Sequence, residues 1–148
     1  MLPRGHILFG GIVAILLWIA APNTSLLYIS LFFLASFLID FDHYICAVIN
    51  TKKFSLSEAF GYHKKMNYLD LQRRKRGIKE KGDFHLFHTI EFHIFIGILG
   101  LYWLGFFYIF LGMMFHSLID LYSLIYATEM YRREFFFVNW IYRKIKGD

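Results

Sequence analysis

Residues 84–126 are mostly apolar and read FHLFHTIEFHIFIGILGLYWLGFFYIFLGMMFHSLIDLYSLIY. As one helix, these 43 residues would be about 65 Å long, which is twice the thickness of the hydrocarbon core of a bilayer. Two membrane spans fit this length better, with a turn at Gly105 and helices near 84–104 and 106–126. The alternative is one span of 22 residues from Ile94 to Phe115, which also has a suitable length.

Two further apolar segments, Ile7–Ala21 and Leu26–Ile39, open the chain. The sequence Pro22-Asn23-Thr24-Ser25 separates them and has the composition of a turn followed by a helix N-cap, so we expect a helical hairpin. Both segments are shorter than the ~20 residues that span a bilayer, so polar neighbours such as His6 and Asp40 must lie at membrane depth or the bilayer must thin. A secretory signal is the alternative for the first segment, but the segment is long for one.

Basic residues predict the orientation of these helices. The connection at residues 50–83 contains ten Lys or Arg, including Arg73-Arg74-Lys75-Arg76, and only four acidic residues. With four spans, this connection, Arg4 and the basic C-terminal tail lie on one side, whereas the opposite loops near Pro22 and Gly105 carry no charge. Since cytoplasmic loops collect Lys and Arg, both termini are predicted to be cytoplasmic, in the cell (inner) membrane. Three spans would export the basic tail.

Composition agrees with a membrane protein. The chain has 148 residues, 57% apolar and 21% aromatic, which suits one domain with the bilayer as its solvent. We therefore predict an all-α fold over residues 1–148: an integral membrane bundle of four short transmembrane helices, a basic cytoplasmic connection (about 50–83) and an interfacial tail (about 128–148). Cys46, the only cysteine, excludes a disulfide within the chain and a Cys-rich zinc module. The net charge of +5 is interpreted as topology, so no nucleic acid partner is expected. Oligomeric state stays open.

Ten ionisable residues fall at the predicted cytoplasmic ends of the four helices. They are His6 on helix 1, Asp40, Asp42 and His43 on helix 2, His85, His88, Glu91 and His93 on helix 3, and His116 and Asp120 on helix 4. Each ionisable group in a membrane helix costs a few kcal/mol (~2.5 to 3.5 for Asp), so burying several of them requires mutual pairing or a cation. A metal ion supplies that cation.

Spacing supports a metal site, because residues three or four apart share a helix face. The pairs are Asp40 with His43, His85 with His88, and His116 with Asp120. Asp42 lies on the far face from Asp40 in a regular helix and joins the site only if helix 2 frays there. We predict the metal ligands to be His6, Asp40, His43, His85, His88, His93, His116 and Asp120, and Asp42 and Glu91 to be catalytic. Imidazole and carboxylate without thiolate suit one or more divalent ions, zinc above all, and tolerate iron or manganese.

Several of these elements resemble a known family. Gly5-His6, Leu38-Ile39-Asp40-Phe41-Asp42-His43, Phe84-His85-Leu86-Phe87-His88-Thr89 and His116-Ser117-Leu118-Ile119-Asp120 resemble the G-H, L-x-D-x-D-H, H-R-x-x-T-H-S and S-H-x-x-x-D pattern of the YdjM-like family. The third element departs from that pattern: either His88 and His93 match its two histidines and Thr89 replaces the arginine, or His88-Thr89 matches its final H-S. The resemblance implies a membrane-bound metal-dependent hydrolase. The His and Asp spacing is also similar to that of zinc-dependent phospholipase C and P1-type nuclease.

The sequence therefore favours a metal-dependent hydrolase that cleaves a phosphoester of a lipid or another amphiphile at the cytoplasmic leaflet. Bound ions would lower the pKa of a water molecule and polarise the phosphoryl oxygen. Expected partners are membrane lipids, with anionic head groups at the basic connection, at about 1 kcal/mol per Lys or Arg. The alternative is a non-catalytic metal-binding membrane protein, such as a carrier or an assembly factor. A structural adaptor is a third possibility, but it leaves the buried carboxylates unexplained.

Overall fold

The computed structural model describes residues 3–147, and within that range the chain is helical, with no strand. The helices are α1 (Pro3–Ala20), α2 (Leu26–Leu38), α3 (Phe41–Thr51), α4 (Leu56–Lys75), α5 (Ile90–Leu99), α6 (Leu104–Tyr126) and α7 (Phe137–Lys146). Short 3₁₀ turns occur at Leu86–His88 and Met130–Arg132.

Two helical runs within residues 3–147 are long and apolar enough to cross a membrane. They are Leu26–Thr51, which combines α2 and α3, and α6. In each run, only 28% of the most apolar 18-residue stretch is buried. A core helix of a soluble protein, in contrast, is mostly buried. The apolar helices α1 and α5 are shorter.

Close helix contacts hold α1, α2 and α6 together. α2 packs against both α6 and α1, and α5 also packs against α6. The small apolar core contains Ala14, Ile29 and Phe32. At Gly112 a Cβ atom would overlap the carbonyl oxygen of Phe32 and crowd the methyl group of Ala35. A glycine is therefore required at this close approach of α6 to α2.

The junction of α2 and α3 is tighter than a regular helix. The N–H of Asp40 donates to Phe37 O at 3.2 Å, and the N–H of His43 donates to Asp40 O at 3.0 Å, both three residues back. In a regular helix, Asp40 and Asp42 would lie about 200° apart around the axis. The tightened turn instead brings both carboxylates to His88, so the condition set by the sequence for including Asp42 is met.

The third apolar segment differs from its prediction at both ends. Helix α5 begins at Ile90 rather than near Phe84, because the side chain of Thr89 accepts the N–H of Phe92 at 3.4 Å and caps the helix there. His85 and His88 therefore do not share an α-helical face. The turn at the far end occupies residues 100–103, so Gly105 lies inside α6, covered by the ring of Trp103.

The basic connection and the tail are folded onto each other. The connection, predicted to be a solvated basic segment, contains the 20-residue helix α4. Ion pairs join this helix to the segment after α6, Arg74 with Glu129 and Arg132 with Asp70. In α7, exposed apolar side chains recur at positions 138, 141, 142 and 145, which gives one apolar helix face.

Candidate metal centre

The junction of α2 and α3, the 3₁₀ turn before α5 and the middle of α6 place imidazoles and carboxylates together beside the start of α1. Seven of the eight predicted ligands belong to this cluster, and Asp42 completes it. The eight residues are His6, Asp40, Asp42, His43, His85, His88, His116 and Asp120. Five of them are buried, namely His6, Asp42, His88, His116 and Asp120.

The carboxylate of Asp42 orients His88. Its Oδ2 atom accepts the backbone N–H of Phe87 and the Nδ1–H of His88, both at 3.0 Å. Because a carboxylate can only accept, the proton of the neutral His88 ring lies on Nδ1. The Nε2 atom of His88 therefore carries a lone pair.

A backbone carbonyl does the same for His116. Since the N–H of Asp40 donates to Phe37 O, the carbonyl of Ser36 is left outside the helical hydrogen-bond ladder. That carbonyl accepts the Nδ1–H of His116 at 2.9 Å. The His116 side chain is fully buried, and its Nε2 atom also carries a lone pair when the ring is neutral.

The two lone pairs and a carboxylate oxygen converge on one point. The Nε2 atoms of His88 and His116 are 3.2 Å apart, and Asp40 Oδ1 is 3.6 Å from the first and 3.4 Å from the second. Two ligands of a tetrahedral ion, each ~2.1 Å from it, lie about 3.4 Å apart. Without a cation or an added proton, these three acceptors would repel one another.

His6 and Asp120 close the inner side of the cluster. The ring of His6 stacks on His116 with centroids 3.8 Å apart. Its Nε2–H donates to Asp120 Oδ1 at 3.1 Å, and its buried Nδ1 atom has no hydrogen-bond partner within the described range. Asp120 Oδ2 accepts from Arg133 at 2.8 Å and lies 3.5 Å from His116 Nε2.

The cluster divides into four overlapping groups of three residues. In each group, one donor atom per residue lies within 4.8 Å of the others. These His and Asp groups, as far as the described residues show them, could therefore hold a metal ion.

Comparisons with protein families, curated proteins and solved structures gave no match.

His43 and His85 form the side of the cluster that faces the connection. Their rings lie 3.7 Å apart between centroids, and His43 Nε2 is 3.4 Å from Asp40 Oδ1. His63 on α4, which the sequence left without a role, donates from Nε2 to the carbonyl of His43 at 2.9 Å. Burial and, to a smaller extent, the neighbouring rings of His43 and His88 lower the pKa of His85 to about 2. His85 is therefore neutral at physiological pH, the form that binds metals.

A polar cleft of about 450 Å³ lies over the cluster. Its lining includes Asp40, His43, His85, His88 and Asp120, and also the cations Arg73, Lys81, Arg132 and Arg133. Arg133 is the residue that the sequence missed, because nothing distinguishes it from the other basic residues of the tail. Hydrogen bonds from the N–H of Gly82 to Arg132 O and from the N–H of Ile90 to Phe135 O fix the backbone on both sides of it.

Two predicted site residues lie outside the cluster. The carboxylate of Glu91 accepts the backbone N–H groups of Phe137 and Val138, at 3.0 and 3.3 Å, and caps α7. His93 is buried, but its Nδ1–H donates to Thr89 O at 2.8 Å and its Nε2 accepts from the hydroxyl of Ser117 at 3.0 Å. Both residues have structural partners in place of the predicted catalytic or ligand contacts.

Proposed function

We propose that this protein is a membrane-embedded, metal-dependent hydrolase that cleaves a phosphoester of a lipid or another amphiphile. The observation that carries the proposal is the convergence of His88 Nε2, His116 Nε2 and Asp40 Oδ1 at separations of 3.2 to 3.6 Å. Hydrogen bonds to Asp42 and to the Ser36 carbonyl turn both imidazole lone pairs toward that point. Such supporting hydrogen bonds are characteristic of metal-ligating histidines.

Nitrogen and oxygen ligands suit zinc as the bound divalent ion. Such an ion would lower the pKa of a water molecule and polarise a phosphoryl oxygen. The chain's own residues would position the ligands and bind the phosphoryl group. Asp42 fixes the ring of His88, and Arg133, on the other side of the cluster, presents positive charge beside the cleft. Arg133 could thereby take the place of the arginine that the YdjM-like pattern has in its third element and this chain lacks.

An apolar groove supports an amphiphilic substrate. The groove has a volume of about 330 Å³ and lies between α2, α5 and α6, with Leu31, Leu34, Ile96 and Ile109 among its lining residues. Its lining also includes Ile39 and Phe87, which are the chain neighbours of Asp40 and His88. A hydrocarbon chain lying in this groove would end beside the metal cluster.

Four crossings of the membrane agree with this proposal. The four crossings would be α1, the continuous run of α2 and α3, α5, and α6. Large apolar side chains are exposed along all four. Such extensive apolar exposure is rare on a soluble monomer. The polar cleft, α4 and α7 would then lie at the cytoplasmic side, where the basic residues are concentrated, with the apolar face of α7 in the interface.

The direct test combines metal analysis with turnover. We expect the purified wild-type protein to retain zinc and to hydrolyse phospholipid or phosphomonoester substrates. In Asp40→Ala and His116→Ala, zinc should fall by one equivalent and turnover should fall at least about a hundredfold, as expected when a metal centre is lost. His93→Gln is the matched control, because His93 is a buried histidine outside the cluster.

The second candidate is a non-catalytic metal-binding protein, and the enclosure of the innermost ligands favours it. His6 is 1% exposed and His116 is 0% exposed, so an ion held mainly by them would have little contact with a substrate. Stoichiometric zinc without turnover across a broad panel of esters would establish this candidate. Absence of any divalent metal ion from the folded protein would exclude both functions.

A further inference from the structure

A second part of the cluster has properties of a separate metal site. Asp42 Oδ1 and His85 Nδ1 are both buried, and neither has a hydrogen-bond partner within the described residues. They lie 3.7 Å apart, which is beyond hydrogen-bond distance but close to the ~3.4 Å that separates two ligands of one tetrahedral ion. Asp42 itself is only 5% exposed.

Buried polar atoms without partners are rare, because each one loses its hydrogen bonds with water and gains none in return. Two such atoms of opposite kind, a carboxylate oxygen and an imidazole nitrogen, would normally approach to about 3 Å and form a hydrogen bond. Here they stay further apart, while the ring of His43 lies against that of His85. Donor atoms of all three residues fall within 4.8 Å of one another.

Asp42, His43 and His85 form an outer group, and Asp40, His88 and His116 form an inner group. The two groups use different atoms. Asp42 holds His88 through Oδ2 and leaves Oδ1 for the outer side. His85 shares donor distances only with Asp42 and His43, whereas His116 and Asp120 occur only in groups that contain neither Asp42 nor His85. His85 and His43 also line the polar cleft, so the outer site is accessible to a ligand in that cleft.

We propose that Asp42, His43 and His85 bind a second divalent metal ion, so that the centre holds one inner and one outer ion. This inference rests on the proposed function for the inner ion, held around Asp40, His88 and His116. The outer ion neutralises Asp42 and adds positive charge to the cleft wall, where it binds an oxygen of a phosphoryl group. Asp42 links the two sites, since its second oxygen orients His88.

The test is zinc stoichiometry. Protein is stripped with a chelator, reloaded with zinc alone, freed of excess metal and measured by mass spectrometry of the element against protein concentration. We expect two equivalents in the wild type and one in His85→Gln, with His85→Ala as a second version of the change. His63→Gln is the control, because His63 packs against His43 but belongs to none of the donor groups; it should keep two equivalents.

Circular dichroism and the elution volume establish that each variant is folded, and the wild-type stoichiometry needs no variant. One equivalent in the wild type would overturn the second site and leave the proposed function intact. Two equivalents in folded His85→Gln would place the second ion elsewhere and also overturn this assignment. Two equivalents in the wild type without esterase activity would support the second site while contradicting the hydrolase.

Discussion

The cationic side chain of Arg133 is in direct contact with the metal cluster. Its guanidinium donates to Asp120 Oδ2 at 2.8 Å, and its side chain is 13% exposed where it lines the cleft. A guanidinium has five N–H donors in a fixed fork, so the contact with one carboxylate oxygen leaves others for an anion. A phosphoryl group is the anion whose geometry matches that fork.

Replacing Arg133 with lysine should weaken phosphoester turnover without removing metal, because the charge next to Asp120 is kept and the fork is lost. A hydrogen bond to a charged group contributes about 1.5 to 3 kcal/mol, so kcat/KM should fall about tenfold to a hundredfold. Steady-state kinetics and zinc content of Arg133→Lys would be compared with Arg76→Lys, which changes an exposed arginine outside the cleft. Equal kcat/KM values for the two variants would contradict the role of Arg133.

Residue identity and spacing were sufficient to predict most of the cluster. Imidazoles and carboxylates at the ends of apolar segments have few other ways to be buried, so His6, Asp40 and His116 could be named from the sequence. Asp42 was predicted to be catalytic and was left out of the ligand set, because a regular helix would turn it away from Asp40, whereas the chain makes a tightened turn there. The position of Glu91 could not be predicted for a different reason: its hydrogen-bond partner is the N-terminus of α7, 46 residues further along the chain.

Among the helices, the contact between α2 and α6 has the greatest influence on the site. Gly112 lies one turn before His116, and it packs on Phe32, one turn before Ser36, and on Ala35, which directly precedes Ser36. The close approach at Gly112 therefore determines whether the His116 ring reaches the carbonyl of Ser36. Packing in the apolar half and metal binding in the polar half are coupled through this contact.

Gly112→Ala should therefore destabilise the protein and also weaken metal binding. The added Cβ overlaps backbone atoms of α2, and overpacking of this kind costs about 1 to 3 kcal/mol. Gly61→Ala is the matched control, since nothing lies within 4 Å of a Cβ there and alanine favours a helix by up to about 1 kcal/mol. Thermal unfolding followed by circular dichroism would compare the stability of the two variants, and metal analysis would compare their zinc content. Unchanged stability of Gly112→Ala would show that α6 can move away from α2.

Helix ends show the limits of prediction from apolar patterns. The number and order of the apolar segments could be predicted, because hydrophobic residues identify them directly. The start of α5 could not, since Phe87 donates its backbone N–H to Asp42, which lies 45 residues earlier in the chain. Such a long-range contact favours a 3₁₀ turn over continued helix, and no local pattern contains it.

Across the whole molecule, the cluster lies at a defined depth from the far ends of the helices. Asp40 comes fourteen residues after the start of α2, and His116 comes twelve residues after the start of α6. At 1.5 Å per residue these distances are about 21 and 18 Å, which is less than the ~30 Å thickness of a hydrocarbon core. In the proposed orientation, the metal centre thus lies below the level of the inner interface, or the bilayer is locally thin.

This orientation predicts which positions a membrane-impermeant maleimide can label. With the native thiol removed by Cys46→Ser, single cysteines at Thr24 and Tyr102 should react in intact cells, because both lie in turns without charged residues. Cysteines at Lys64 and Lys146 should react only after permeabilisation, since both lie in basic segments that the proposed orientation places on the cytoplasmic side. Labelling at Lys146 from outside would contradict four crossings, because α4 and α7 would then lie on opposite sides of the membrane. The ion pair between Arg132, which precedes α7, and Asp70 of α4 requires them to lie on the same side.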